Sequence, residues 1–372
     1  MPKKIHIISF DVPFPPDYGG VVDVFYKIKA LYAAGVQVYL HCFHHGRDFY
    51  QEELQKYCTQ VFFYPRKPLW QVINTQLPLM VQARRSKELL YNLAQEPAFV
   101  LMEGLHTTFY LENEKLGEMP QAVRLHNIEW DYYQKLAQTE TDFIKKNYLR
   151  YESKRLQTYE KRLAATDYLF PLSAIDQAYY QEKFPDKKVI FLPVFHKYNQ
   201  ITTKIGSGNF VLYHGNLSVA ENEATAVFLS DVWSEKASLP LVIAGKNPSK
   251  RLQQLCAEKN IRLVANPTEN ELGELLANAH AHILWASQQS GVKLKLLHAL
   301  FAGRFVLANS LMLAGSHLQD ICVQVETKNE IIQKINELAT QSFDETMLAQ
   351  REKVLNQHYN NQKNIEILRS LL

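Results

Sequence analysis

Two segments of the sequence place glycines and lysines where a strand is expected to give way to a helix. In the second half, the apolar run AHILWAS precedes QQSG and then VKLKLLHALFA, so Gly291, Lys293 and Lys295 fall near the start of a predicted helix. In the first half, three prolines and the pair Gly19 and Gly20 separate IHIISF from another helical segment. Glycine lets backbone amides approach an anion, and a helix N-terminus carries partial positive charge. Both segments are therefore typical of phosphate-binding turns.

Neither turn has the fingerprint of a common nucleotide site, because GxGxxG is absent and neither GxxxxGKS nor GxxxxGKT occurs in the chain. The turn at Gly19 and Gly20 could equally be purely structural. A histidine cluster, HCFHH, contains His41, His44 and His45 but lacks carboxylates or cysteines at ligand spacing. We therefore predict no metal site there.

The two turns need strands to position them, and short β-branched or aromatic runs alternate with helical segments along the chain. Continuous apolar runs of this kind predict parallel sheets that helices cover on both faces. The polar segment HKYNQITTKIGSG, which begins at His196, separates two series of runs. These runs begin at Ile5, Val36, Val61, Phe99, Ala122, Asp167 and Val189, and then at Asn209, Leu239, Ile261, Ala281, Arg304 and Ile321.

The sequence thus predicts an α/β protein with two Rossmann-like, doubly wound parallel-sheet domains facing each other across a cleft. The predicted domains are residues 1–195 and 208–350, and a helix over residues 351–372 is expected to pack back on the N-terminal domain. Ligands of doubly wound sheets bind at the carboxyl ends of the strands, where both turns lie. A diphosphate held between the domains is the expected ligand.

Bulk properties narrow the class of protein. The net charge of +3 and the pI of about 8.4 are too mild for a nucleic-acid binder that contacts many phosphates. Cys42, Cys58, Cys256 and Cys322 are widely spaced, as in a reduced cytoplasmic protein. The N-terminus lacks the apolar run of a signal peptide, and no window reaches transmembrane length. We expect a soluble cytoplasmic protein, with peripheral contact to the inner face of a membrane left open.

The segment TETDFIKKNYLRYESKRLQTYEKRLAATD reads as a long amphipathic helix, since Leu149, Leu156 and Leu163 recur every seven residues. The simpler interpretation is a helix packed on the sheet with a solvated basic face. The alternative is that basic residues of this helix dock the protein on anionic lipid. Those residues are Lys145, Lys146, Arg150, Lys154 and Arg155.

Four segments together resemble the family-4 (group 1) retaining glycosyltransferases of GT-B fold: PPDYGG, RLHNIEWDYY, YHGN and WASQQSGVKLKLLHALFAGRFVLAN. They occur in the order that the family shows and span nearly the whole chain. The resemblance implies a nucleotide-sugar donor held mainly by the second domain and a sugar or lipid-linked acceptor held mainly by the first. It also implies that no metal cofactor is required, because basic groups and helix ends stabilise the departing diphosphate.

The resemblance implies a role for His126, and positions at or just after the ends of predicted strands add further candidates. His126 would lie beside the transferred sugar, and Glu103, at the end of a strand, is the second predicted catalytic residue. Asn127 and Glu129 would contact the acceptor, although Glu129 could instead be a first-turn helix acid. Lys246 would approach a phosphate, or be an ordinary exposed loop lysine. The predicted donor-binding residues are Gly19, Gly20, Gly215, Asn216, Lys246, Ser290, Gly291, Val292, Lys293, Lys295 and His298.

The chain departs from the family at four positions. The family has two glutamates eight positions apart around the second turn, where this chain has Ser290 and His298. It also has an arginine and a lysine where this chain has Asn216 and Asn222. We therefore expect Lys293 or Lys295 to supply part of the lost phosphate-binding charge. His298 would bond a ribose hydroxyl in place of the second glutamate.

The predicted function is transfer of a sugar, with retention, from a UDP- or GDP-linked donor to an acceptor hydroxyl. The expected setting is polysaccharide or glycoconjugate biosynthesis. The four departures motivate an alternative, a degenerate glycosyltransferase-like partner subunit without transferase activity. A nucleotide-sugar epimerase on the same fold is a third hypothesis, but the sequence lacks a convincing set of carboxylates for it.

Overall fold

The computed structural model describes residues 3–72, 76–140, 142–233, 236–287 and 294–372. The described residues fall into two compact units. The first, here called the first domain, runs to Lys197 and includes Asn361–Leu372. The second domain comprises the described residues between Tyr198 and Asn360.

The first domain is built on a parallel sheet of seven strands, and every predicted apolar run of this half contributes a strand to it. Along the sheet the strand order is β3-β2-β1-β4-β5-β6-β7, so the chain starts in the middle and winds outward twice. The strands are β1 (Lys4–Ser9), β2 (Gln37–His44), β3 (Gln60–Pro65), β4 (Phe99–Glu103), β5 (Gln121–Leu125), β6 (Tyr168–Pro171) and β7 (Lys188–Val189).

The last of these strands is shorter than the predicted run VIFLP. β7 contains only Lys188 and Val189, although the run continues to Pro193. The neighbouring strand β6 ends in Pro171, which has no N–H to donate to β7. The amides of Ile190 and Leu192 still donate to the carbonyls of Leu169 and Pro171, and the carbonyls of Leu192 and Pro193 accept from Arg124.

Helices cover both faces of this sheet. Alternate residues of β1 illustrate the arrangement, since Ile5 and Ile7 belong to one buried apolar cluster and Ile8 to another. Glycine at 19 and an extended Tyr18 start the first helix directly after the proline-rich turn. The helices are α1 (Gly19–Ala33), α2 (Gln51–Gln55), α3 (Leu79–Gln82), α4 (Lys87–Gln95), α5 (Glu129–Thr139), α6 (Phe143–Tyr159) and α7 (Ala174–Lys183).

The second domain repeats the pattern with a parallel sheet of six strands in the order β10-β9-β8-β11-β12-β13. Its strands are β8 (Val211–Asn216), β9 (Leu241–Lys246), β10 (Arg262–Ala265), β11 (Ala281–Leu284), β12 (Phe305–Ala308) and β13 (Val323–Gln324). Its helices are α8 (Ala220–Val232), α9 (Lys250–Glu258), α10 (Glu269–Asn278), α11 (Leu294–Ala302), α12 (Ser310–Leu313), α13 (Lys328–Leu338) and α14 (Glu345–His358).

The end of α11 shows why a glycine follows it. The amide of Gly303 donates to the Ala299 carbonyl at 2.8 Å and so completes the last turn of α11. The stronger constraint is lateral: a Cβ at Gly303 would lie 1.9 Å from Nε2 of His282 on β11. Only glycine therefore allows the helix end and the strand to approach this closely.

The predicted helix over residues 351–372 is divided in the structure. Residues 351–358 complete α14, and a separate helix, α15 (Asn361–Arg369), belongs to the first domain. The side chain of Asn361 holds both backbone groups of His196, since its Oδ1 accepts from the amide and its Nδ2 donates to the carbonyl. Ile365 and Leu368 of α15 are buried in the same apolar cluster as Ile28 of α1.

Candidate functional site

Five polar side chains from α1, β4, β5 and the residue after β5 meet inside the first domain, and we call them the buried charge cluster: Asp23, Lys27, Glu103, Arg124 and His126. Asp23 and Lys27 lie one turn apart on α1. Glu103 and Arg124 are register partners on the neighbouring strands β4 and β5, so both point to the face that α1 covers. Apart from His126, whose side chain is 11% exposed, these side chains are fully buried.

Each cation of the cluster forms an ion pair with at least one of its carboxylates. The Lys27 ammonium lies between the two carboxylates, 2.9 Å from Asp23 Oδ2 and 2.5 Å from Glu103 Oε1. Arg124 donates two hydrogen bonds to Asp23, from Nε to Oδ2 and from Nη2 to Oδ1, each 3.0 Å long. The amide of Phe195 adds a third donor to Asp23 at 2.8 Å. Two cations and two anions leave the cluster neutral when His126 is neutral, which is the condition under which burying it is tolerable.

The two carboxylates are ionised for the same reason. Burial alone would raise the pKa of Asp23, but Arg124 and then Lys27 hold that pKa well below its usual range. Burial likewise opposes ionisation of Glu103, while Lys27 and the hydrogen bond from His126 lower the pKa of that carboxyl. An ionised carboxylate only accepts hydrogen bonds. His126 Nε2, 3.1 Å from Glu103 Oε2, must therefore carry a proton, which leaves Nδ1 as the acceptor of a neutral ring.

Phe10, which precedes the proline-rich turn, packs against both His126 and the glycine pair at the end of that turn. The Phe10 ring meets the His126 ring edge-on, with centroids 5.5 Å apart and planes at 88°. A Cβ at Gly20 would lie 2.5 Å from Cζ of Phe10, so the second glycine of the turn leaves room for that ring. Gly19 and Gly20 thus begin α1 next to the predicted catalytic histidine.

The two predicted acceptor residues follow β5. Glu129 is the first residue of α5, where an acid is favoured by the helix dipole, and it is 4% exposed. One of its carboxylate oxygens lies 3.4 Å from Nε2 of His106. Asn127 is half-buried, and its backbone carbonyl accepts from the Tyr180 hydroxyl at 3.4 Å. Contact of either residue with an acceptor stays a prediction.

In the second domain the structure brings together Asn216, Asn222 and Lys295. Asn222 Nδ2 donates to the carbonyl of Asn216 at 2.9 Å, and Lys295 Nζ donates to Asn222 Oδ1 at 3.0 Å. Gly215 permits this packing, since a Cβ there would lie 3.3 Å from Cγ of Asn222. The ammonium of Lys295 also lies 5.6 Å from the centroid of the Tyr213 ring. Helix α11 therefore delivers a cation to the carboxyl end of β8.

His298 is half-buried on α11, and its ring lies parallel to that of His214, with centroids 6.2 Å apart. Lys246 is exposed at the end of β9. Four predicted donor-binding residues lie outside the described residues, namely Ser290, Gly291, Val292 and Lys293.

The three histidines of the cluster HCFHH lie in different surroundings. His41 is buried and hydrogen-bonded through one ring nitrogen to His6 and through the other to Tyr64, at 2.9 Å each. Its neighbour His44 is half-buried, and His45 is exposed. Among the described residues, the group whose ligand atoms lie close enough for a metal is Asp23, Glu103 and His126. There the Lys27 ammonium already occupies the space between the two carboxylates.

Sequence analysis missed three members of the buried charge cluster, Asp23, Lys27 and Arg124. A signal for each was present. Arg124 interrupts the apolar strand run AVRL, and Asp23 and Lys27 lie four residues apart on a helix that is otherwise largely apolar. A charge placed in a buried element requires a partner of opposite charge.

The second domain matches a known family. Residues 208–341 fit the model of a family described as glycosyl transferases group 1. The chain is a glycosyltransferase. The matched part of this glycosyltransferase contains the cluster formed by Asn216, Asn222 and Lys295.

Solved structures of low sequence identity share the fold of this glycosyltransferase and confirm the predicted GT-B fold. TarM has a TM-score of 0.70 at 11% identity, covering 99% of this chain and 98% of that chain. Anabaena Alr3699/HepE in complex with UDP and glucose has a TM-score of 0.65 at 12% identity, covering 100% of both chains. The lipopolysaccharide outer core galactosyltransferase WaaB, in its apo form, has a TM-score of 0.62 at 13% identity, covering 99% of this chain and 100% of that chain.

One curated relative resembles this glycosyltransferase in sequence. An uncharacterized 44.6 kDa protein in the cps region of Klebsiella pneumoniae is 26% identical over an alignment of 336 residues, and the match covers 84% of this chain and 84% of the relative.

Proposed function

We propose that this glycosyltransferase moves a sugar, with retention, from a UDP- or GDP-linked donor bound by the second domain to an acceptor hydroxyl bound by the first. The match of residues 208–341 to the group 1 family carries the proposal. The complex of HepE with UDP and glucose supports a nucleotide sugar as donor. The similar Klebsiella protein lies in a cps region, which supports a setting in polysaccharide or glycoconjugate biosynthesis.

Lys295 compensates for one missing cation of the donor site. The family has a lysine where this chain has Asn222, and the ammonium of Lys295 lies 3.0 Å from the Asn222 side chain. The charge is thus supplied from α11 instead of α8. This contact supports a diphosphate-binding role for Lys295, since a half-buried ammonium interacts with phosphate more strongly than an exposed one.

Replacing Lys295 by glutamine is therefore expected to weaken the binding of UDP or GDP by about fivefold, the effect of losing roughly 1 kcal/mol. Isothermal titration calorimetry with both nucleotides measures it. Lys259→Gln is the control, because Lys259 pairs with Asp231 on the surface of the second domain. Equal affinity in Lys295→Gln and wild type would contradict the role of Lys295. Absence of any nucleotide binding in the wild type would favour the alternative of a partner subunit.

His126 is proposed to contact the reacting sugar or the acceptor hydroxyl. Its Nε2–H donates a hydrogen bond to Glu103, and Glu103 forms an ion pair with Lys27. These contacts fix the orientation and the tautomer of the imidazole. Glu103 itself is fully buried, so we propose that it positions His126 and does not touch the substrate. Catalysis then rests on placing the hydroxyl and stabilising charge, and no residue is assigned as a general base.

His126→Ala is expected to lower sugar transfer on the order of a hundredfold while leaving nucleotide affinity unchanged, because its interactions in the described part of the chain lie within the first domain. Turnover of a UDP- or GDP-sugar found by ligand screening gives the rate, and calorimetry gives the affinity. His106→Ala is a matched control, since His106 also packs against Phe10 but contacts Glu129 instead of Glu103. A transfer rate that falls equally in both variants would mean that His126 acts only through packing.

We further propose that the transfer needs no metal ion. The only described residues with suitable ligand spacing are Asp23, Glu103 and His126. Lys27 and Arg124 already neutralise both of these carboxylates, so a divalent cation would have to displace a buried ammonium.

We also propose that α6 contacts a membrane surface. Its buried face contains Leu149 and Leu156, as predicted, but Phe143 and Ile144 at its start are 77% and 81% exposed. Basic residues follow immediately in the sequence, and a bulky apolar pair beside lysines is typical of segments that enter the interface of an anionic bilayer. Two of the five predicted basic residues have acidic neighbours, since Lys145 pairs with Glu140, and Arg155 Nη1 lies 3.9 Å from Glu152. No helix in the described ranges is long and apolar enough to cross a membrane.

A double change of Phe143 and Ile144 to serine is expected to reduce binding to phosphatidylglycerol-containing vesicles by at least about tenfold. The reason is that full burial of each apolar side chain contributes about 1.5–3 kcal/mol to the free energy of binding. Vesicle flotation measures the bound fraction. Tyr91→Ser, on the exposed face of α4, serves as the control for loss of an exposed aromatic ring. If the double variant floats with the vesicles as the wild type does, the proposed membrane contact of α6 is contradicted.

A further inference from the structure

Three arginines lie near the carboxyl ends of β1, β2 and β3 in the first domain, and we call them the arginine cluster: Arg47, Arg66 and Arg84. Arg47 and Arg66 lie in the segments that follow β2 and β3, and Arg84 follows α3. Arg47 pairs with Asp17 at 3.0 Å and donates to the Pro15 carbonyl at 2.6 Å. The other two arginines have no such acidic partner among the described residues.

Arg84 is a buried cation that forms no close ion pair with any described carboxylate. The residue is 3% exposed. Its Nε donates to the Phe10 carbonyl at 3.0 Å and its Nη1 to the Met80 carbonyl at 2.8 Å, but no described carboxylate lies within ion-pair distance. Burial, and next the nearby charge of Arg66, lower the pKa of Arg84 to about 10. A buried charge that lacks a close ion pair is costly, and an anionic ligand would offset that cost.

Arg66 adds a second charge to the same place. Its Nε is buried and has no hydrogen-bond partner among the described residues. The charge of Asp11 favours the protonated form of Arg84. The two oxygens of Asp11 accept hydrogen bonds from the Val12 amide and the Tyr18 hydroxyl, both at 3.0 Å, and neither bonds to Arg66 or Arg84.

The amide of Lys67 donates to the Ala83 carbonyl at 2.8 Å, so the segments that carry Arg66 and Arg84 lie side by side. Two like charges on adjacent segments, with an unused donor on Arg66, are suited to binding an anion.

We propose that Arg66 and Arg84 bind a phosphate or diphosphate group of the acceptor. The position suits an acceptor, because Phe10 joins the two sites: its carbonyl accepts from Arg84 while its ring lies against His126. An acceptor with its phosphate at the arginines would extend toward His126 along the carboxyl ends of the strands. The inference rests on the proposed function, in which the first domain binds the acceptor, and adds the chemical class of that acceptor.

Isothermal titration calorimetry with inorganic pyrophosphate tests the subsite. Arg66→Gln is expected to weaken binding about tenfold, and Arg84→Lys about threefold, because lysine keeps the charge but loses the planar fork. Arg85→Gln is the matched control, since this neighbouring arginine bonds to Gln82 and to the carbonyl of Gln71. Pyrophosphate affinity that is unchanged in Arg66→Gln, or that falls only in Lys295→Gln, overturns the proposal.

The same variants separate this proposal from the donor site and identify the source of the phosphate. Arg66→Gln should leave UDP and GDP binding unaltered, whereas failure of the proposed function would appear as absence of nucleotide binding in the wild type. Glucose 1-phosphate and phosphatidylcholine vesicles carrying a polyprenyl diphosphate are the soluble and lipid probes. If one probe binds and its affinity depends on Arg66, the subsite is supported, and that probe shows whether the phosphate group is soluble or lipid-linked. If both probes bind with affinities that do not depend on Arg66, the proposal is contradicted.

Discussion

Replacing Asp23 by alanine is expected to lower the free energy of unfolding of the first domain by about 3–5 kcal/mol, the cost of stranding a buried partner charge. Asp23 receives two hydrogen bonds from Arg124, one from Lys27 and one from the Phe195 amide. Without it, Arg124 and Lys27 share a fully buried site with Glu103 as their one remaining carboxylate in the cluster. Denaturant titration followed by far-ultraviolet circular dichroism measures the loss.

Asp17→Ala is the matched control for this change, because Asp17 also pairs with an arginine but is 37% exposed. Its loss should cost no more than about 1 kcal/mol, the usual range for an exposed ion pair. Asp23→Asn should behave like Asp23→Ala, since the amide keeps the shape but not the charge. A small effect in both Asp23 variants would show that the charge cluster does not depend on Asp23.

Acid is expected to destabilise the second domain through His282, by about 2 kcal/mol at pH 5 and about 3 kcal/mol at pH 4. Burial, with Arg351 and Arg304 nearby, lowers the pKa of His282 to about 3. The unfolded chain binds a proton near pH 6.5 and the folded one does not, so the unfolded state holds more protons between pH 6.5 and 3. Stability from this group is therefore complete above pH 6.5 and declines as the pH falls through that window.

Thermal melts from pH 7.5 to pH 4 measure this slope in wild type and in His282→Gln. Glutamine can still donate to the Leu276 carbonyl that His282 Nε2 contacts at 3.1 Å, but it does not titrate. The variant should lose about 1.4 kcal/mol per pH unit of the wild-type dependence, whereas the exposed His45→Gln should keep it. Identical slopes in wild type and His282→Gln would refute the assignment.

In the first domain, buried titratable groups have opposite effects on stability as the pH falls. His6 and His41 are buried neutral, and burial lowers the pKa of each, so both destabilise the fold as the pH falls. Asp176 opposes them, because burial raises its pKa to about 6 and the folded state then binds the extra proton. His282 therefore gives a cleaner test than any histidine of the first domain.

The strands could be predicted from the sequence because each buried parallel strand reads as an uninterrupted apolar run. Every predicted run corresponds to a strand, and β7 is shorter than its run because Pro171 of the neighbouring β6 has no N–H to donate. Beyond β7, the carbonyls of Leu192 and Pro193 accept from Arg124, which lies 68 and 69 residues earlier. Local patterns carry no such information.

The candidate site was predictable only in part for the same reason. Strand-end positions identified Glu103 and His126, because the carboxyl ends of parallel strands are where side chains meet a ligand. The partners were not predictable, since Arg124 lies 101 residues from Asp23, and Glu103 lies 76 residues from Lys27. The nearness of Lys295 to Asn222, 73 residues apart, likewise follows from the fold and not from spacing.

The position of α15 has a consequence for how the protein is made. Ile365 and Leu368 complete an apolar cluster whose other members lie in the first two hundred residues. The ribosome synthesises the whole second domain before this helix, so the second domain can close its own core while the first still exposes a gap over α1. We expect the first domain to become resistant to proteolysis only after α15 has packed over α1, and so later than the second domain.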